Sequence, residues 1–101
     1  MHIRFQTQDP EQILQDIQKA LLSDAFTKIV SIERKNSSMT VKIKKMGPST
    51  LVFDEQQDSG TIDWVLQTEK IAMAHKPFKE QMLKSISKII KKLGGEFVQA
   101  T

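Results

Sequence analysis

The sequence predicts an α+β fold: an antiparallel sheet of about four to five strands with two helices packed on one face, in the order β-α-β-β-β-β-α. Two segments, one after Pro10 and one after Pro77, repeat their apolar residues every three or four positions, the period of a helix buried on one side. Between them apolar and polar residues alternate, the period of a half-buried strand, and the breaks are turns too short for parallel crossovers. With 101 residues and 39% apolar side chains the chain has room for one hydrophobic core, so residues 1–101 are read as a single domain.

Met1 to Thr7 places Ile3 and Phe5 on one face and His2, Arg4 and Gln6 on the other, a short opening strand. Asp9 before Pro10 supplies a helix cap and a first-turn proline, and Gln12, three residues after the cap, completes a capping-box pattern. Ile13, Leu14, Ile17, Ala20 and Leu21 then line one face, with Gln12, Gln15, Asp16, Gln18 and Lys19 turned to water. Ile29–Lys35 and Met39–Lys45 read as a hairpin around Asn36, Ser37 and Ser38, burying Val30, Ile32, Val41 and Ile43. Leu51–Asp54 is a short strand after the break at Gly47 and Pro48, and Asp58, Ser59 and Gly60 turn the chain into Thr61–Gln67.

In that last strand Ile62, Trp64 and Leu66 share a face, which puts the only tryptophan in the core, while Lys70–His75 is open to either strand or loop. Pro77 opens the second helix, whose stripe runs through Phe78, Met82, Leu83, Ile86, Ile89, Ile90 and Leu93. Gly94 and Gly95 end it, and residues 96–101 are expected to be a flexible tail.

Composition removes several functions. Without cysteine there is no disulfide, thiolate chemistry or cysteine-ligated metal. No apolar run reaches the roughly 20 residues of a membrane span, and the first residues lack the order of a signal peptide, so a cytoplasmic location is expected. The net charge of +3 is uneven: from Lys76 onward six lysines face two glutamates, whereas the preceding residues carry nine basic and ten acidic groups.

Catalytic residues are not assigned. His2 stands at the chain start, and His75, just before the second helix, suits either a base or a loop position with no partner identifiable. Asp54, Glu55, Asp58 and Asp63 cluster about one hairpin but match no calcium-loop spacing, so no metal and no cofactor are expected. Gly47-Pro48-Ser49-Thr50 lacks the spacing and lysine of a phosphate-binding loop, and Gly94-Gly95 follows a helix instead of opening one.

The strongest feature outside the core is a basic ridge. At 100° per residue Lys84, Lys88, Lys91 and Lys92 fall opposite the apolar stripe, where they serve solubility, follow a run of phosphates or lie along an anionic surface. Trp64, Met82 and Ile86 are the residues that would line a cavity between sheet and helix if the stripe held an apolar ligand instead of packing as core.

The opening strand, the capped helix, Thr40-Val41-Lys42-Ile43 leading to Gly47 and Leu51, and Phe78-Lys79 opening the last helix resemble the small bacterial proteins of the polyhydroxyalkanoic acid system family. That resemblance implies an α+β protein associated with storage granules or their proteins, and carries no catalytic residues over. A sheet gripped by a C-terminal helix also resembles a reduced helix-grip ligand-binding fold. The leading expectation is a small non-enzymatic binding or interaction domain of unspecified partner, a protein or a second copy of itself being the candidates. A nucleic-acid module and an apolar-ligand carrier are the alternatives.

Overall fold

Asp9 accepts the backbone N–H of Gln12 at 3.1 Å, so α1 (Pro10–Leu22) begins at the cap its sequence supplies. The Gln12 side chain does not return to the cap; it donates to Asp16 at 3.0 Å, and only half of the capping box forms. The computed structural model describes residues 1–7 and 9–99. Around α1 it places β1 (His2–Gln6), β2 (Val30–Lys35), β3 (Ser38–Ile43), β4 (Ser49–Asp58), β5 (Thr61–Lys70), a 3-10 helix (Met73–Phe78), α2 (Lys79–Lys92) and β6 (Glu96–Val98).

The strands form one open antiparallel sheet in the order β2-β3-β4-β5-β1-β6. It has six strands, beyond the four to five expected, because Glu96–Val98 pairs with β1 opposite Arg4 to His2. That segment was expected to be tail; residues 100–101 lie outside the described ones. Gly95 explains how the chain gets there. A Cβ on it would come within 2.5 Å of the Phe5 ring, so only glycine lets the backbone pass over that ring into β6.

β4 and β5 are also longer than their apolar runs. Ser59 (φ 46°) and Gly60 (φ 83°) take the two left-handed positions of a tight hairpin turn, which carries pairing through the polar Glu55–Asp58. A bulge at Gln67, opposite the step from Val52 to Phe53, re-aims the end of β5. Glu69 then stands opposite Leu51 and meets Lys79 of α2 at 2.6 Å.

Both helices pack on the sheet face that carries Ile3, Phe5, Val30, Met39, Val41, Leu51, Phe53, Ile62 and Trp64, to which α1 adds Leu14, Ile17 and Leu21 and α2 adds Leu83, Ile86 and Ile90. Trp64 is completely buried and meets Phe5 edge to face, with ring centroids 6.2 Å apart. Gln18, expected to face water, does a different job. It donates to the Val30 carbonyl (3.2 Å) and accepts from the Ile32 N–H (2.8 Å), covering the open backbone of edge strand β2 as another strand would. Among the described residues no helix is long and apolar enough to cross a membrane.

Candidate functional site

α2 is held from beneath. Leu83, Ile86 and Ile90 are buried and Met82, Ile89 and Leu93 half-buried, so the apolar stripe faces the sheet and α1. The opposite arc is fixed in consequence: Lys84, Lys88 and Lys91 lie within about 60° of one another and Lys92 at its margin, all exposed. From Lys84 to Lys92 the ridge covers roughly 12 Å of helix, a cation about every 4 Å on average. Lys91 and Lys92 complement the helix C-terminus, which accounts for part of their placement, whereas Lys84 and Lys88 sit outside that last turn. Lys92 also borders an open groove of about 580 Å³ between α1 and α2, with Lys19, Asp16 and Asp24 on its other side.

The ion pairs of the described residues involve Arg4, Arg34, Lys42 and Lys79, and none of the four ridge lysines. The largest network is built on Arg34. Its side chain comes from a core-facing position of β2 and forks onto Glu55 of β4 at 2.7 and 2.6 Å, while a third nitrogen meets Glu11 of α1 at 2.7 Å. Glu55 also accepts from the Trp64 indole at 3.0 Å and from Gln57 at 3.0 Å. These donors, Arg34 first, hold the Glu55 carboxyl down to about 2 in spite of its burial, and Glu55 and Glu11 in turn raise Arg34 above its ordinary value. On the exposed sheet face Lys42 bonds Glu33 at 2.8 Å, lowering its carboxyl, and Asp63 bonds Arg4 at 2.7 Å, raising the guanidinium.

The four acids of the β4–β5 hairpin therefore do not converge. Glu55 turns toward the core and Arg34, Asp54 is exposed opposite Val65, and Asp63 belongs to Arg4. Among the described residues no group of three histidines or acids is placed to hold a metal ion.

His75 is buried in the 3-10 helix with both ring nitrogens engaged: Nε2 lies 2.7 Å from the Lys45 carbonyl and Nδ1 2.5 Å from the Ser49 hydroxyl. A carbonyl only accepts, so Nε2 carries a proton and donates it to Lys45. Ser49 in turn accepts the Ala72 N–H at 2.8 Å. The chain of bonds clamps the 3-10 helix to the β3–β4 turn. In this geometry Ser49 is buried and His75 spends its second nitrogen on a backbone carbonyl, not on an orienting carboxylate.

Met82 and Ile86 do border one space together, a cavity of about 30 Å³ also bounded by Ile43, Ile71, His75, Lys79 and Leu83. Its size suits a single water molecule. Trp64 is not among its walls: it shares the core with Ile86, against which Met82 packs, but the three expected cavity residues do not line this space together. Glu55 is read from sequence only as one of the hairpin acids and Arg34 is not singled out, although strict alternation marks both as core-facing; an arginine and a glutamate at such positions predict each other. No family description, curated protein or solved structure matches the chain, and the family resemblance rests on its sequence pattern alone.

Proposed function

We propose that this chain is a non-catalytic binding domain that docks nucleic acid through its phosphates along the outer face of α2. The observation that carries this reading is alignment: Lys84, Lys88, Lys91 and Lys92 are exposed along one arc of α2 and enter no ion pair among the described residues, whereas Arg4, Arg34 and Lys42 are matched to carboxylates and the unpaired sheet lysines Lys35 and Lys70 stand apart on separate strands. Lysine on a rigid helix gives phosphate contact before base readout: between Lys84 and Lys92 the helix has no arginine, asparagine or glutamine, and Gln81, one turn earlier on the same arc, is the single amide fork beside the ridge. Sequence-independent binding in the range of about 1–100 μM at physiological salt is the expected strength.

The test is fluorescence anisotropy of labelled duplex and single-stranded oligonucleotides with the parent chain and a Lys84→Gln, Lys88→Gln, Lys91→Gln, Lys92→Gln variant. The duplex is expected to bind the parent and to lose most of its affinity for the variant. The single strand should bind no better, because no aromatic side chain interleaves the ridge for base stacking. Equal binding by parent and variant would end the proposal.

A further inference from the structure

A second surface lies where the 3-10 helix is clamped to the β3–β4 turn, and its chemistry differs from that of the ridge. Met46 in the turn is 72% exposed, and Met73 and Phe78, at the two ends of the 3-10 helix, are 78% and 52% exposed. The sequence places Phe78 in the buried stripe; it is excluded because α2 starts only at Lys79, with Pro77 inside the 3-10 helix and not at the head of α2. Met46 and Met73 are neighbours of residues in direct contact. Gly47 approaches Ala72 so closely that a Cβ on Gly47 would lie 3.2 Å from that of Ala72, and His75 ties the two segments together through Lys45 and Ser49. The β3–β4 turn and the 3-10 helix are thus held together as one unit that carries these exposed apolar side chains.

Lysines frame it. Lys44 and Lys45 lead into Met46, Lys70 precedes Met73 by three residues, and Lys76 lies between Met73 and Phe78; all four are exposed and none forms an ion pair among the described residues. Nearby acids are Glu69, matched to Lys79, and Glu80 in the first turn of α2. We infer that this corner docks on an anionic phospholipid surface, with Met46, Met73 and Phe78 entering the boundary between headgroups and acyl chains and the lysines meeting lipid phosphates. Such a boundary accepts apolar side chains in any arrangement, and its phosphates match the unpaired lysines Lys44, Lys45, Lys70 and Lys76 in charge. Apolar insertion and basic attraction together supply the two signals that reversible membrane attachment requires, each lysine contributing on the order of a twofold to fivefold gain near a charged leaflet.

Co-sedimentation with vesicles tests the inference, using phosphatidylcholine alone and phosphatidylcholine mixed with phosphatidylglycerol, at low and moderate salt. We expect the chain to sediment with the mixed vesicles and not with the neutral ones. A Met46→Ser, Met73→Ser, Phe78→Ser variant should bind at least about tenfold more weakly. All three positions are exposed, and a serine at residue 78 stands at the N-cap of α2, so the variant keeps its fold, which circular dichroism verifies. An environment-sensitive dye on a Met73→Cys variant should shift to shorter wavelength on mixed vesicles, and the variant lacking the α2 lysines should sediment as the parent does. Absence of sedimentation with the mixed vesicles at low salt, or sedimentation that follows the α2 lysines and ignores the apolar triple variant, would overturn it.

Discussion

Arg34 and the lysines of α2 are both basic side chains, yet they use their charge in opposite ways. Arg34 is four-fifths withdrawn from solvent and divided between two carboxylates, one of them on a side chain only 4% exposed. The ridge lysines stand on a surface arc that the packing of α2 fixes but does not use. A charge that holds the fold must meet its partner inside the chain, because an unpaired ion out of water is costly. A charge with no internal partner is free to meet one outside. The difference separates residues whose loss unfolds the protein from residues whose loss leaves it folded and changes only what it binds.

Removing the buried side of the network should have the largest effect. Glu55→Ala leaves Arg34 with its exposed partner alone and the Trp64 indole without an acceptor, and should cost about 3 kcal/mol in urea denaturation. Acid should act on the same carboxyl. Its folded value of about 2 lies below the ordinary 4.5, so the unfolded chain takes up the proton first. The stabilisation is present above about pH 4.5 and is lost as pH falls through about 2, for a total on the order of 3 kcal/mol. Thermal melting between those limits measures it, and a Glu55→Gln variant should flatten that part of the profile.

Cutting the exposed arm of the same arginine sharpens the contrast. Glu11, 63% exposed, should contribute less than about 1 kcal/mol when replaced by alanine, even though its distance to Arg34 matches that of the buried arm. The smallest effect on stability should come from the ridge: replacing its four lysines by glutamine should move the unfolding free energy by less than about 1 kcal/mol, mostly through loss of the last-turn charges. A variant destabilised as strongly as Glu55→Ala would mean that the ridge belongs to the fold after all.

What the sequence revealed follows from where each signal resides. The Asp9 cap, the alternation around Trp64 and the stripe of α2 are local patterns, and each appears in the structure where its residues place it, except that Phe78 drops out of the stripe because α2 begins only at Lys79. β6 was hidden because Glu96–Val98 is too short to show a period and pairs with residues more than ninety positions away. The ends of β4 and β5 were hidden because polar residues continue a ladder once a tight turn fixes the register, and hydrophobicity reports burial, not pairing. Gln18 was assigned to water by helix period, which knows nothing of an adjacent strand edge. The ridge was readable because it needs only the helix; the Met46, Met73 and Phe78 corner was not, since it depends on a turn and a 3-10 helix meeting through His75.

The salt dependence of duplex binding tests the role of α2 most directly. If three or four of the ridge lysines contact phosphates, the logarithm of the affinity should fall with the logarithm of salt concentration at a slope near about −3 for the parent, and the variant lacking those lysines should show almost no residual salt-sensitive binding. A parent that does not bind at low salt, or a variant that keeps the parent's slope, would contradict it.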